Sequence, residues 1–230
     1  MYKRAVPTYQ SDLFVIFECI GATITVCNYN GKTETLTPAQ FLKYDMQGAL
    51  MLNIEFPPLN NSYVYRSYKI MPRNQNALAI VNAAFLIKLS NKNIVERAII
   101  VYGNISPKFI NATETQNYLI GKNIFTDETL QGALKVLNNE LLPVDLPGEP
   151  SIQCRKKLGL GLFYKFILNI APAGRAIQRY TSGAELIIRP LSSGKEDYQT
   201  DSSLYPLNQP VEKLEGLIQA SGEATYANDL

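Results

Sequence analysis

The chain has 230 residues, 46% hydrophobic and 18% charged, the balance of a globular protein able to bury a real core. Its net charge is +2, with Lys and Arg spread along the length, which excludes the dense basic face that nucleic acid binding needs. There is no histidine and there are three cysteines, too widely spaced for a cluster, which removes histidine triads, Cys/His zinc sites and iron–sulfur ligation. The apolar stretches, such as residues 13–20, are too short to span a bilayer, and the start at Met1 has no apolar signal core. The expected location is therefore the cytoplasm, with the sequons at Asn60, Asn104 and Asn111 unused. Cys19 and Cys154 lie among apolar neighbours and are expected to be buried thiols.

Ser11 is a fitting N-cap and Asp12 a fitting first-turn carboxylate for a helix that Gly21 ends. Residues 22–28 alternate as a strand, and Asn30-Gly31 turns the chain into a second strand over residues 32–36. Residues 50–56 form another strand, stopped by Pro57-Pro58. Three β-rich segments follow, residues 63–71, 77–89 and 94–102, and predict an antiparallel meander. After Pro107 the apolar period lengthens. Residues 113–120 predict a short helix closed by Gly121, and Thr126 caps a second with Leu130, Ala133, Leu134 and Leu137 at helical spacing. Ser151 caps a third, whose Leu158, Leu162, Phe163, Phe166 and Ile167 make a broad apolar stripe. Gly159 and Gly161 in that helix are expected to permit close packing. The expected fold class is α+β, a sheet covered on one face by a small helical bundle. Residues 172–210 are rich in Gly, Ser, Asp and Pro and predict a linker; residues 212–230 regain apolar character.

Four ordered stretches resemble the xanthine dehydrogenase/aldehyde oxidase family of molybdo-flavoenzymes. The first is Ser11-Asp12-Leu13 and the run through Gly21. The second, Leu52-Asn53-Ile54-Glu55-Phe56-Pro57, resembles the family's L-S-I-E-I-P strand. The third comprises Thr113-Glu114 to Gly121-Lys122, Glu128-Thr129-Leu130, Arg155-Lys156-Lys157-Leu158 and Leu162-Phe163-Tyr164-Lys165-Phe166. The fourth runs from Arg189-Pro190-Leu191-Ser192-Ser193-Gly194 through Lys213-Leu214-Glu215 to Ala220-Ser221-Gly222-Glu223-Ala224-Thr225-Tyr226-Ala227-Asn228-Asp229. The last stretch resembles the aldehyde oxidase branch somewhat more.

The resemblance implies a domain map. Residues 1–61 would be the C-terminal part of an FAD-binding (PCMH-type) domain. Residues 62–171 would be a CO dehydrogenase flavoprotein C-terminal-like domain, an antiparallel sheet plus three helices. Residues 172–211 would be a linker, and 212–230 the first strand of a truncated hammerhead domain. It further implies an internal fragment of an oxidoreductase, contributing one wall of an FAD site for electron transfer from iron–sulfur clusters to oxygen or NAD. Alone the chain would be inactive. Molybdopterin and the 2Fe–2S clusters would reside in the parent enzyme, with no ligands here, and the parent would be a homodimer. A Gly-rich loop to cradle the FAD pyrophosphate is missing from the sequence. The alternative is a non-catalytic structural or protein-interaction remnant built on residues 62–171.

Three residues match family positions near the flavin. Asp12 can accept hydrogen bonds from flavin or ribityl donors, or simply stabilise its helix terminus. Lys69 can place a cation near the flavin N1/O2 edge and favour the anionic reduced ring, or be a solvated strand lysine. Met51, where the family has leucine, can give the cofactor apolar contact or fill a core gap.

Overall fold

Ser11 Oγ accepts a hydrogen bond from the Phe14 amide at 3.4 Å, and Gly21 at φ 76° closes the other end, giving helix α1 (Asp12–Ile20) its limits. The computed structural model describes residues 11–73, 77–145, 148–172, 174, 180–185, 194, 201–207, 209 and 211–229. Strands β1 (Thr23–Asn28) and β2 (Thr33–Leu36) form the expected hairpin, with Ile24 opposite Leu36 and Gly31 in the turn at φ 78°. A one-turn helix, α2 (Pro38–Phe41), follows and was not expected. Its signal is a capping box: Thr37 Oγ1 accepts from the Gln40 amide, and Gln40 Oε1 accepts from the Thr37 amide. Strand β3 (Ala49–Glu55) pairs with β1, so the first sheet runs β2-β1-β3. Phe14, Ile24, Val26 and Phe41 are the buried heart of this part.

The second sheet is the expected meander, β4 (Tyr63–Ile70), β5 (Val81–Leu89) and β6 (Val95–Gly103), extended by the two-residue β7 (Ile110–Asn111). Three helices follow: α3 (Thr113–Leu119), α4 (Asp127–Glu140) and α5 (Ile152–Ile170). Thr126 and Ser151 cap the last two through the Thr129 and Cys154 amides. Helix α3 begins at Ala112, which cannot cap. The Glu140 carboxylate does so from the end of α4, accepting from the Glu114 and Thr115 amides at 2.7 and 2.8 Å.

The sheet is covered on both faces, not one. Ala83, Phe85 and Ile87 face the α3–α5 bundle, where Phe85 stacks on Phe166 with centroids 4.9 Å apart. The alternate residues Ala84 and Leu86 face Val15 and Cys19 of α1. This is why residues 83–87 of β5 are apolar without a break: a strand buried on both faces loses its alternation. Helix α1 thus serves both sheets.

Further corrections concern α5. Cys19 is buried, but Cys154 is exposed, one position off the stripe formed by Arg155, Gly159, Leu162, Phe163, Phe166 and Ile167. Gly159 meets the close-packing expectation, since a Cβ there would lie 2.8 Å from Leu141 Cδ1. Gly161 does not, because nothing lies within 4 Å of such a Cβ. Arg155, part of an apparently basic run, is wholly buried.

After α5 the chain returns upon it. Lys165 Nζ donates to the Gly183 and Glu185 carbonyls at 2.8 Å, fastening the short helix α6 (Thr181–Ala184). Much of the expected linker, including Arg189 to Ser193, lies outside the described residues. The chain divides into two compact units, Met1–Leu186 and Ile187–Leu230. In the second, the described residues hold two 3₁₀ turns and helix α7 (Gly216–Ser221). The strand expected within 212–230 is not formed among them. A strand needs a partner to satisfy its backbone, whereas a helical turn satisfies its own.

Candidate functional site

Lys69 on β4, Asn82 on β5 and Gly103 on β6 are successive register partners, so they form one rung across the second sheet. Asp12, in the first turn of α1, reaches this rung. Its Oδ2 lies 2.6 Å from Lys69 Nζ, and its Oδ1 accepts from Asn82 Nδ2, also at 2.6 Å. The local sequence explains the placement. Ser11 starts the helix one residue earlier, and Val15 and Cys19 seat its body on the sheet, which leaves Asp12 at the rim.

A cavity of about 130 Å³ opens here, with Asp12, Val15, Ile16, Ser67, Lys69 and Asn82 among its walls. The side chains of Lys69 and Asp12 are 31% and 39% exposed, so the pair is half-solvated and adds little to stability. Its content is directional: an ammonium and a carboxylate held side by side at a cavity mouth. Asn82, which sequence reading missed, is 3% exposed. The polar side chain in the otherwise apolar run 79–87 was the available signal.

Met51 stands apart. It pairs with Val26 across the first sheet, beside a register shift that leaves Leu52 unpaired, and it is 36% exposed. It does not line the cavity. The structure therefore joins Asp12 to Lys69 and leaves Met51 on a separate strand.

Two other titratable groups are held protonated by burial. Burial, with some help from Glu18, holds the Cys19 thiol far above its ordinary range, so it stays protonated. Burial likewise raises Tyr102, whose hydroxyl donates to the Gly159 carbonyl at 2.9 Å. No group of His, Cys, Asp and Glu among the described residues could hold a metal ion. No described helix is long and apolar enough to cross a membrane.

Residues 66–170, which carry Lys69, Asn82 and the whole α3–α5 bundle, match the CO dehydrogenase flavoprotein C-terminal domain family. Over 95% of its length the chain is 30% identical to xanthine dehydrogenase 1 of Arabidopsis thaliana. Over nearly its whole length the chain is thus similar to xanthine dehydrogenases and aldehyde oxidases. Indole-3-acetaldehyde oxidase of the same plant is 29% identical over 96% of the chain, so the two branches are not separated by identity. The chain spans 17% of the length of each of these two relatives. A solved CO dehydrogenase from Oligotropha carboxidovorans shares the fold, with a TM-score of 0.56 at 18% identity, over 66% of this chain and 53% of that one.

An FAD in such a site would meet a cation, a carboxylate and the rim of α1. That donor set suits one polar edge of a flavin, which carries both carbonyl acceptors and an N–H donor. The cavity is too small for the whole three-ring system. The residues fit the group in part: an edge, not an enclosure.

Proposed function

We propose that this chain forms one wall of the FAD site in an oxidoreductase of the xanthine dehydrogenase/aldehyde oxidase type, acting in the cytoplasm. The observation that carries the reading is the Asp12–Lys69 pair at a cavity mouth, on a domain whose relatives are flavoprotein domains. Bound FAD supplies electron transfer between iron–sulfur clusters and oxygen or NAD. Lys69 brings a fixed positive charge to the ring edge, and Asp12 anchors the ammonium and offers an acceptor. Met51 gives apolar contact from β3. Molybdopterin and the 2Fe–2S clusters belong to the parent enzyme, a homodimer in this reading. Residues 1–61 complete the flavin domain, 62–171 follow it, 172–211 lead on, and 212–230 begin the molybdenum half. The pyrophosphate is held by other residues, so the chain alone binds flavin weakly and turns nothing over.

Titrating FAD into the isotopically labelled chain, followed by amide NMR, tests this. The expected result is a saturable shift confined to Asp12, Ile16, Met51, Ser67 and Lys69, abolished by Lys69→Met, in a preparation that carries no flavin as purified. Shifts elsewhere, or none at millimolar FAD, refute the assignment of the wall.

A second reading, a scaffold built on residues 62–171, is supported by the large cluster that β5, β6 and α3–α5 share. It faces an obstacle. Cutting before residue 62 removes α1 and bares Ala84, Leu86 and Val101. That piece is expected to aggregate in size-exclusion chromatography, and a stable monomer would restore the scaffold reading.

A further inference from the structure

We infer that Asn82, backed by Gly103, is a positioning residue that sets the Asp12 carboxylate and, through it, the Lys69 ammonium. The inference rests on the flavin reading of this site. Asn82 sits between Lys69 and Gly103 on the rung, with its side chain on the α1 face of the sheet. Its Nδ2 donates to Asp12 Oδ1 at 2.6 Å, while its Oδ1 is buried with no hydrogen-bond partner.

For packing alone this is a poor choice of residue. Leucine would fill the same space without burying an unpaired acceptor, which is destabilising. What the amide adds is direction. Its Oδ1 lodges against Gly103, where a Cβ would overlap it and would also lie 2.8 Å from Val15 Cγ2. A flipped amide would set its oxygen against the Asp12 carboxylate, which favours the orientation seen. Each carboxylate oxygen thus has one assigned partner: Oδ1 takes Asn82 and Oδ2 takes Lys69. Asp12 is 39% exposed, so among the described residues Lys69 would be its remaining side-chain partner on the sheet without Asn82. Gly103 touches neither charge, yet its missing side chain is what lets Asn82 occupy this place.

The test reads the pair itself, without flavin. In the ¹⁵N-labelled full chain, the Lys69 ammonium signal is assigned by its loss in Lys69→Arg, and the exchange of its protons with water is measured. Asn82→Ala and Gly103→Ala are both expected to speed that exchange about tenfold, the loss of one charge-assisted hydrogen bond at about 1.4 kcal/mol per decade. Ser67→Ala, which alters the same cavity, leaves it unchanged. The amide signals of Phe85 and Ile100 report that the sheet is intact. Should Gly103→Ala fail to fold, Asn82→Leu keeps the volume, lacks the donor and decides the matter. An unchanged Lys69 exchange rate in a folded Asn82→Ala or Asn82→Leu variant overturns the inference. The flavin reading falls separately: wild-type amides that ignore FAD would sink it while the exchange result stood.

Discussion

Replacing Arg155 with methionine should remove much of the chain's stability, although the residue lies in a run that resembles a solvated basic face. Its side chain is wholly buried, the largest such group among the described residues. Among the described residues no carboxylate meets it. Nε donates to the Pro150 carbonyl at 3.0 Å, Nη1 to those of Asn104 and Ile105 at 3.2 and 3.0 Å, and Nη2 to that of Val144. One guanidinium therefore ties the loop after β6, the loop after α4 and the start of α5 into a single corner. Methionine matches most of the volume but donates nothing, leaving four acceptors without this donor. Each hydrogen bond to a charged group contributes about 1.5–3 kcal/mol, and the Ile105 carbonyl keeps the Val144 amide at 3.4 Å as a second partner. Returning an unpaired buried cation to water recovers several kcal/mol, so the net loss is about 3–5 kcal/mol. That is a large share of the about 5–15 kcal/mol typical of a domain. Arg155→Lys should lose about 2–3 kcal/mol, since one ammonium cannot span the positions a planar fork reaches. Urea unfolding followed by circular dichroism, with midpoint and slope compared between variants, measures both. A loss under about 1 kcal/mol at unchanged slope would refute the reasoning.

Four more outcomes are expected. Glu140→Ala removes the carboxylate that caps α3, and should cost about 1–2 kcal/mol and speed hydrogen exchange at the Glu114 and Thr115 amides while sparing β5. Gly132→Ala drives a Cβ into the Tyr118 hydroxyl, breaks the stacking of Lys122 over that ring, and should destabilise by about 1–3 kcal/mol. Gly161→Ala, in open space on the same bundle, should instead stabilise by up to about 1 kcal/mol, and chemical denaturation of the two variants checks the opposite signs. Burial raises the Glu18 carboxyl above its ordinary value, only partly offset by hydrogen bonds from the Ala39 amide and Asn111. A carboxyl raised on folding adds stability below its unfolded value and loses it as pH rises through the folded one. Wild type should therefore lose stability relative to Glu18→Gln between about pH 4 and pH 7, and unfolding curves at the two pH values show whether it does.

The elements were largely legible because their signals are local. Ser11, Thr126 and Ser151 sit where caps belong, and Gly21 and Gly121 stop their helices in the left-handed region. What was missed depends on partners distant in sequence. Ala112 has no cap of its own, and Glu140 lies 25 residues from the Thr115 amide it serves. Arg155 looks like Lys156 and Lys157 until the loops at Asn104 and Val144 close around it. The same holds at the site. Resemblance singled out Asp12 and Lys69 separately, but their contact follows only from packing α1 on the second sheet. Asn82 was passed over because a strand register cannot be read from one strand. Met51 kept its place on β3 without joining them.

Helix α1 connects these findings. Phe14 packs into the first sheet's core, Val15 and Cys19 pack onto the second sheet, and Asp12 at one end completes the charged pair. At the other end Glu18 accepts from Ala39 at the start of α2 and from Asn111 on β7, so it links α2 to the second sheet. The distance from Asp12 to Lys69 is thereby set by apolar packing several residues away, since a rigid helix moves as one body. A change at Val15 or Cys19 that shifts α1 along the sheet would move the carboxylate while the ammonium stayed on its strand. The polar edge proposed for the flavin is therefore a property of the joint between the two sheets. Neither sheet holds it alone, because Lys69 and Asn82 come from one and the helix that carries Asp12 is anchored in both.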